Sequence, residues 1–323
     1  MIITVTLNAA IDKTLAVPNF QPGRRHRTVE QTTMPGGKGV NIARVLKTLG
    51  QPVIATGLAG GPTGTRIVEQ LTEMSVLSDF VRTREESRTN TALIDPTTGQ
   101  QTEINERGPH VTEQEIELFA DKLLYLAKGA SLCVFAGSLP RGVDVGIYGR
   151  LIREVRRLGV SCVVDTDGDP LHRAVRAEPD VISPNVLEAE ELVGHEFNED
   201  ADHLFALREM VELGAREAIM TMPDGCVAQV APVEGSPHPR HYRVSVPFSE
   251  GTATIGSGDA FLAGYVSARY SGRPAPDCLA FGVACGSEST QHLGAGIVDA
   301  ARIEKLLDKV EVERPVMPAA EVG

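Results

Sequence analysis

The repeated alternation of short apolar runs with segments of helical period constrains the fold most. The predicted strands are Ile2–Leu7, Val53–Leu58, Leu132–Ala136, Cys162–Asp165, Val181–Ser183 and Ala218–Met222. The predicted helices are Gly39–Leu49, Gly64–Glu73, Thr112–Ala127, Val145–Leu158, Ala201–Leu213 and Gly258–Tyr270. Strands joined by crossover helices form parallel sheets that are covered on both faces. The sequence therefore predicts an α/β fold, a three-layer αβα sandwich with a mostly parallel central sheet.

Two polar, turn-rich stretches interrupt this alternation, and Asp95–Gly99 within the second is typical of a hairpin turn between short strands. We expect the two stretches to form a small antiparallel β lid inserted into the body. The predicted division is a core of residues 1–10, 34–87 and 110–311, a lid of residues 11–33 and 88–109, and a loose tail of residues 312–323. Such lids often shield a site from water.

Charge and hydropathy exclude several classes of protein. The chain has 323 residues and a net charge of −12, without a Lys/Arg block, so it lacks the electrostatic pattern of a nucleic-acid-binding protein. Its longest apolar runs are far below the ~20 residues of a membrane span, and we expect a cytoplasmic protein without a membrane partner. Its cysteines have no CxxC spacing and are odd in number, which favours buried free thiols. They are Cys133, Cys162, Cys226, Cys278 and Cys285.

A glycine-rich segment near the end of the chain is suited to binding an anion. Gly256, Ser257 and Gly258 open a predicted helix, where unpaired backbone N–H groups and the helix dipole favour negative charge. Asp259 follows in the first turn. A carboxylate beside an anion is unfavourable unless it takes a proton from a hydroxyl that attacks that anion. Taken alone, the motif is more typical of a helix-terminal carboxylate with glycines for packing.

A second glycine-rich helix entry, residues 35–44, lies just after the first part of the lid. Glycine there lets the backbone approach a ligand closely, and Asn41 offers a donor and an acceptor to sugar hydroxyls. Asn8 and Asp12 lie near the end of the first strand, where polar groups often line a binding crevice. Individually, Asp12 could be a turn residue and Lys38 a solvated surface charge.

These two segments together resemble the two signatures of the ribokinase-like (PfkB) carbohydrate kinases. The signatures are Gly36-Gly37-Lys38-Gly39-Val40-Asn41-Ile42-Ala43-Arg44 and Thr254-Ile255-Gly256-Ser257-Gly258-Asp259. Further matching segments occur in the same order along the chain, namely residues 6–12, 87–90, 102–105, 136–143 and 183–188. The likeness covers nearly the whole chain and is greatest to the branch of 1-phosphofructokinases and tagatose-6-phosphate kinases.

The resemblance implies a ribokinase-like fold and transfer of the ATP γ-phosphoryl group to a hydroxyl of a phosphorylated ketohexose. It implies that Asp259 is the general base and that the backbone amides of Gly256, Ser257 and Gly258 stabilise the moving phosphoryl group. The Asn-x-x-Glu motif of Asn185 and Glu188 would place Mg²⁺ through water, although the same pair could cap a helix. The residues implied at the nucleotide are Asn185, Thr221, Gly225, Thr254 and Gly258.

Positive charge around the lid of an otherwise acidic chain favours an anionic acceptor. This cationic cluster comprises Arg25, Arg27, Lys38, Arg88 and Arg107. The resemblance places Arg25, Arg27, Arg88 and Ser138 near the sugar phosphate, and Asp12, Gly37 and Asn41 near the sugar hydroxyls. It favours fructose 1-phosphate, phosphorylated at O6 to fructose 1,6-bisphosphate. Tagatose 6-phosphate and fructose 6-phosphate are alternative acceptors, and a homodimer through the lid is expected.

The sequence departs from the family pattern at three positions. Ala253 replaces the usual Asp or Asn, Ser183 replaces a Lys that is common in this branch, and Pro223 stands where a Gly usually precedes the Asp-Gly pair. The Ser183 change removes a cation near the nucleotide phosphates. A non-catalytic sugar-phosphate sensor is the alternative of a different class, and the intact Asp259 disfavours it. No GxGxxG follows the first strand, and Gly39 follows Lys38, which excludes nicotinamide and P-loop sites.

Overall fold

A computed structural model describes residues 1–232, 238–247 and 255–315. Its strands are β1 (Ile2–Thr6), β2 (Ala10–Ala16), β3 (Glu30–Gly36), β4 (Val53–Gly60), β5 (Leu77–Thr83), β6 (Arg88–Ile94), β7 (Gln101–Asn105), β8 (Leu132–Ala136), β9 (Ser161–Asp165), β10 (Val181–Ile182), β11 (Glu217–Met222), β12 (Gly225–Val230), β13 (Arg240–Ser245) and β14 (Glu311–Glu313). Its helices are α1 (Lys38–Thr48), α2 (Gly61–Glu73), α3 (Glu113–Ala127), α4 (Ile147–Arg156), α5 (Gly168–Val175), α6 (Val186–Val193), α7 (Asp200–Glu212), α8 (Ser257–Tyr270), α9 (Ala275–Ser289) and α10 (Ala300–Leu307).

The larger sheet has the order β14-β13-β12-β11-β10-β9-β8-β1-β4-β5 within the described residues. From β5 to β11 all neighbouring strands are parallel, and from β11 to β14 they are antiparallel. Residues of α1, α2, α8, α9 and α10 join one hydrophobic core, while residues of α3 to α7 join another. The predicted three-layer α/β sandwich is therefore confirmed.

Alternate residues of the central strands supply the two cores. Ile2 of β1 packs into the core that contains α8, and its neighbour Ile3 packs into the core that contains α3. In β8, Val134 and Phe135 divide between the cores in the same way. Because both faces are covered, these strands are continuous apolar runs, which explains why they were predictable from sequence.

The smaller sheet has the order β3-β2-β6-β7 and forms the lid. The hairpins β2–β3 and β6–β7 are antiparallel as predicted, but β2 and β6 pair in parallel. The predicted turn lies between β6 and β7, where Asp95 Oδ1 accepts a hydrogen bond from the Thr97 backbone at 2.9 Å. Strand β3 continues to Gly36, so three residues that the sequence assigned to the core belong to a lid strand.

The prediction of a loose tail from residue 312 was wrong at its start. Val312 and Glu313 lie in β14 and pair with Val244 and Arg243 of β13. The strand is short and exposed, so it lacks the apolar alternation that marks a strand in sequence. Residues 316–323 lie outside the described residues, and the domain division as a whole stays a prediction.

Several elements had no clear sequence signal. Helix α9 is buried around most of its circumference, because it packs between α8 and α10, and a helix without a polar face shows no helical period. Helices α5 and α10 are only eight residues long, so they contain too few residues to show a clear helical period of apolar positions. Strands β12 and β13 continue the sheet by hairpins beyond the parallel region.

Local predictions of helix ends and thiols are confirmed. Thr112 and Glu115 form the expected capping box at α3, since the Thr112 hydroxyl accepts from the Glu115 backbone and Glu115 accepts from the Thr112 backbone. All five cysteines are free and buried. In the part of the chain that the structure describes, no helix has the length and hydropathy needed to cross a membrane.

Close packing of α8 on α9 depends on Gly264, and this generates a stability prediction. A Cβ atom at Gly264 would lie 2.6 Å from Cys285 Sγ. We expect Gly264→Ala to lower the free energy of unfolding by roughly 1–3 kcal/mol through overpacking, measured by urea unfolding. Gly258→Ala in the same helix is the control, since no heavy atom lies within 4 Å of its added methyl. Equal losses in both variants would contradict the packing argument.

Candidate active site

The carboxyl ends of the parallel strands bring most of the polar candidates to one edge of the larger sheet. Asn8 follows β1, Ser138 follows β8, Asp165 ends β9, Asn185 follows β10, and Thr221 lies near the end of β11. Parallel strands share this edge, and in open α/β sheets ligands bind in the crevice beyond it. The candidates are therefore neighbours although they are distant in sequence.

The N-terminus of α8 lies at this crevice and has the backbone form expected of an anion site. Gly256 is its N-cap residue, with a left-handed φ of 79°. A Cβ atom there would lie 2.4 Å from Ala295 Cβ, so only glycine fits. The helical hydrogen bonds begin with Ala260 N donating to Gly256 O at 3.0 Å. The N–H groups of Ser257 and Gly258 precede that bond, at the positive end of the helix dipole.

Asp259 lies in the first turn of α8 and is only 6% exposed. Its Oδ2 accepts a hydrogen bond from Asn41 Nδ2 at 2.9 Å, which fixes the carboxyl group beside the helix terminus. Burial, reinforced by the nearby charge of Asp165, raises the pKa of Asp259 to about 7, against the opposing effects of Lys38 and Asn41. The carboxyl group can therefore exchange a proton near neutral pH, as a general base must.

Lys38 is the first residue of α1 and supplies positive charge to the same crevice. Its Nζ lies 2.7 Å from Asp165 Oδ1 and 3.5 Å from Glu188 Oε1. Burial alone would lower the pKa of Lys38, but the carboxylates of Asp165, Glu188 and Asp259 outweigh burial and raise it, so the ammonium stays protonated. The alternative that Lys38 is only a solvated surface charge is therefore wrong, because its side chain links two carboxylates.

Asn185 and Glu188 form a capping box at the start of α6, as the sequence suggested. Asn185 Oδ1 accepts from the Glu188 backbone at 3.0 Å, and Glu188 Oε2 accepts from the Asn185 backbone at 2.9 Å. Burial raises the pKa of Glu188, and the Lys38 ammonium opposes that shift. Thr221 N donates to Pro184 O at 3.0 Å, which joins the end of β11 to this turn.

Asp12 approaches the crevice from the lid side. Its Oδ1 accepts from Asn90 Nδ2 at 2.9 Å, and burial raises its pKa, against hydrogen bonds from Asn90 and the Gly37 backbone. A Cβ atom at Gly36 would lie only 2.0 Å from Asp12 Oδ2, so the glycine is needed for this close approach. Asp12, Gly37 and Asn41 thus lie around the junction of lid and core.

Arg88 lies beside a polar cavity of about 460 Å³ between lid and core. Its Nε donates to Asn8 O at 3.1 Å and its Nη1 donates to Glu106 O at 2.9 Å. Asn8 Nδ2 in turn donates to Ser138 Oγ at 3.3 Å, which brings Ser138 close to this side. The cavity is lined by Glu85, Glu86, Arg88, Glu106, Arg107, Gly108, Pro109 and Arg141.

The remaining predicted residues are not drawn into the site by contacts. Arg25 and Arg27 are exposed on the loop between β2 and β3 of the lid. Gly225 begins β12, where a Cβ atom would lie 2.0 Å from Val244 O, so its need for glycine is structural. Thr254 and the departure at Ala253 lie outside the described residues.

Sequence reasoning missed two charged residues of the crevice, Asp165 and Arg44. Asp165 ends the buried strand β9, and an acidic residue at the carboxyl end of such a strand was the signal available. Arg44 is 6% exposed, and its Nη1 donates to Pro35 O at 3.2 Å and to Ala295 O at 3.0 Å. Nothing in the local sequence indicates that Arg44 reaches a loop some 250 residues later.

Comparison with known proteins identifies the family. The model of the pfkB family carbohydrate kinases matches residues 4–301. The chain belongs to this family. A 1-phosphofructokinase of Borreliella burgdorferi is 32% identical over 97% of this chain and 98% of its own length.

Solved structures of pfkB family kinases share the fold. A possible 1-phosphofructokinase from Thermotoga maritima has a TM-score of 0.88 at 29% identity, over 98% of this chain and 100% of the other. Phosphofructokinase-2 from Escherichia coli, in complex with substrates and products, has a TM-score of 0.87 at 27% identity, over 95% and 98% of the two chains. The resemblance found in the sequence is confirmed, and the chain is a phosphotransferase of a family that uses ATP.

The raised pKa of Asp259 gives a pH prediction for phosphoryl transfer. Below pH 7 the carboxyl group becomes protonated and cannot accept a proton. We therefore expect kcat to fall as the pH drops below about 7, approaching a tenfold loss per pH unit, in steady-state assays.

Asp259→Asn is the control for that profile. This variant should lower kcat by roughly 10²- to 10⁴-fold and abolish the fall of kcat at acidic pH. Its affinity for ATP, measured by calorimetry, should stay unchanged. If kcat of this variant still falls at acidic pH, another group, such as the substrate phosphate, causes the fall. Unchanged turnover would remove Asp259 from the role of base.

Proposed function

We propose that this chain phosphorylates O6 of fructose 1-phosphate with ATP and yields fructose 1,6-bisphosphate. The observation that carries the proposal is the buried Asp259 carboxyl, held by Asn41 at 2.9 Å beside the glycine-rich N-terminus of α8. The curated relative at 32% identity is a 1-phosphofructokinase, which favours this acceptor over other ketohexose phosphates.

In the proposed reaction Asp259 takes the proton of the acceptor hydroxyl as the hydroxyl oxygen attacks the γ-phosphorus. The bond between the γ-phosphorus and the bridging oxygen breaks, and ADP leaves with that electron pair. Backbone N–H groups of Gly256, Ser257 and Gly258 stabilise the charge on the transferred group. Phosphoryl transfer requires mainly that the protein align the reacting groups and stabilise the charge of the transferred group. A rigid helix terminus supplies both.

The donor side of the crevice suits Mg²⁺ bound largely through water. Glu188 uses Oε2 for its capping bond and has Oε1 3.5 Å from Lys38 Nζ, so its oxygens keep lone pairs that can accept from metal-bound water. Mg²⁺ takes oxygen ligands and retains several waters, so one carboxylate and one amide are enough to hold it. Asn185 and Glu188 would hold the ion, which would neutralise phosphate charge. Thr221, Gly225, Thr254 and Gly258 would contact the nucleotide.

The acceptor would lie between the crevice and the lid. Asp12, Gly37 and Asn41 would bind its hydroxyls, and Arg88 and Ser138 would bind its phosphate, joined by Arg25 and Arg27 if the lid loop closes over it. Lys38 would also lie beside the acceptor, where its ammonium offsets the charge of Asp165 and Glu188. Arg107 and Arg141 line the same cavity and offer guanidinium groups to a phosphate, although three glutamates of the lining balance its three arginines.

A panel of acceptors tests the proposal. Turnover with Mg·ATP is measured by coupled ADP release for fructose 1-phosphate, tagatose 6-phosphate, fructose 6-phosphate and fructose. We expect the highest kcat/KM for fructose 1-phosphate and the lowest for fructose, because Arg88 and its neighbours then lack a phosphate partner. A higher kcat/KM for tagatose 6-phosphate or fructose 6-phosphate would make that sugar the acceptor instead of fructose 1-phosphate. Sugar-phosphate binding without any turnover would favour a sensor.

We further propose that two copies associate through the lid. The lid strand β7 lies at a sheet edge and carries Ile104, which is 58% exposed, and such edges pair readily with another chain. Leu118 on α3 is similarly exposed, at 56%, but lies outside the lid.

Sedimentation equilibrium distinguishes these surfaces. We expect the wild type and Leu118→Asp to be dimers, and Ile104→Asp to be a monomer because a buried unpaired carboxylate is costly. A monomeric wild type, or a dimer that survives Ile104→Asp and not Leu118→Asp, would refute the lid interface.

A further inference from the structure

A fully buried carboxylate that the proposed reaction does not use lies in the last turn of α9. Glu288 is 1% exposed. Its Oε1 lies 2.8 Å from His292 Nε2, and its Oε2 accepts a hydrogen bond from the Asp299 backbone at 2.9 Å. Both partners belong to residues 290–299, which we call the α9–α10 loop. The carboxylate therefore ties the beginning of this loop to its end.

The middle of the α9–α10 loop packs against the catalytic helix terminus. Ala295 lies so close to Gly256 that a Cβ atom on the glycine would be 2.8 Å from Ala295 Cα. A Cβ atom at Gly296 would lie 3.2 Å from Asn41 Cα. Ala295 O accepts from Arg44 Nη1 at 3.0 Å. One loop thus supports both the amides of α8 and the helix that carries Asn41.

The loop's own sequence does not make it rigid. Gly294 and Gly296 have positive φ values of 106° and 68°, and glycine gains the most backbone freedom when restraints are lost. Two hydrogen bonds to one buried carboxylate are a strong restraint, because hydrogen bonds to a carboxylate are about twice as strong as bonds between neutral groups. The geometry of the loop therefore depends on a residue that lies outside the crevice.

We propose that Glu288 is a positioning residue for phosphoryl transfer, which holds the α9–α10 loop against Gly256 and Asn41 and so fixes the N-terminal end of α8 relative to the Asn41 side chain that holds the Asp259 carboxyl. This inference rests on the proposed kinase function. Glu288 touches no reacting group. Its effect arises because misplacement of reacting groups by about 1 Å can cost on the order of 10²-fold in rate.

The chain offers a matched control for a buried glutamate. Glu217 is 8% exposed and bonds to the other end of α8, where its Oε2 accepts from Arg269 Nη1 at 2.6 Å and Tyr265 Oη at 3.1 Å. Tyr265 lies about 13 Å along α8 from Gly256, at 1.5 Å per residue. Loss of either glutamate removes a buried carboxylate, from β11 for Glu217 and from α9 for Glu288, but only Glu288 supports the catalytic end of α8.

The experiment compares Glu288→Ala, Glu288→Gln and Glu217→Ala by urea unfolding and by steady-state kinetics of the folded full chain. We expect both alanine variants to lose stability. Glu288→Ala should lower kcat roughly 10- to 100-fold with little change in the KM for ATP. Glu288→Gln should recover most of kcat, since its amide oxygen can still accept from Asp299 N. Glu217→Ala should keep the wild-type kcat.

Calorimetry with Mg·ADP, with and without aluminium fluoride, adds a readout that does not require turnover. Glu288→Ala should weaken binding of the aluminium fluoride complex about tenfold or more and leave binding of ADP unchanged. Should Glu288→Ala not fold, His292→Ala replaces it, because that change removes one of the two tethers; a smaller loss of kcat, about three- to tenfold, is expected.

The outcomes separate this inference from the function itself. A wild-type kcat in Glu288→Ala, or in His292→Ala when Glu288→Ala does not fold, would overturn the positioning role and leave the kinase assignment intact. A loss of kcat in Glu217→Ala as large as in Glu288→Ala would also overturn it, since the effect would then be general destabilisation. Absence of turnover by the wild type on every acceptor would instead refute the proposed function.

Discussion

The interaction on which the site depends is the hydrogen bond from Asn41 to the buried carboxyl of Asp259. It joins α1, which follows the first two strands of the lid, to α8, which begins more than 200 residues later. Burial makes the carboxyl a base near neutral pH, and the same burial is tolerated because Asn41 and the cation of Lys38 oppose the cost of its charge. Burial of this carboxyl therefore costs stability, while it produces the raised pKa that the proposed base needs.

Charge around Asp259 is balanced by a short chain of contacts. Lys38 reaches Asp165 at 2.7 Å and Glu188 at 3.5 Å, so one ammonium serves carboxylates from β9 and α6. Removing it would leave acidic groups close together in a crevice meant for polyphosphate. The excess of carboxylates over cations there agrees with the proposed magnesium nucleotide, which would bring a further cation.

Much of the fold could be predicted because its central strands are buried on both faces. The six predicted strands and six predicted helices all occur, with ends shifted by a few residues. Strand β14 and helix α9 were not predicted, for opposite reasons. The strand is exposed throughout, whereas the helix is buried on nearly all sides. Neither has the contrast between polar and apolar faces on which periodicity depends.

At the site, short motifs indicated Asp259, Asn41 and the Asn185–Glu188 turn, because each lies in a glycine-rich helix start or a capping sequence that is recognisable over a few residues. The sequence did not indicate that Asp165 would pair with Lys38, or that Glu288 would hold a loop against Gly256. Both pairs join residues more than 30 positions apart in the chain. The packing of strands and helices determines which of these residues meet.

The amino-acid sequence by itself determined the layered α/β architecture, the two glycine-rich helix starts and the family, since these follow from local patterns of burial and backbone freedom. The tertiary structure alone decided which charges meet. Contacts at a sheet edge depend on strand order, and strand order places β1, β8, β9 and β10 side by side although the chain visits other elements between them. Burial, which sets the pKa of Asp259, is likewise a property of the assembled layers.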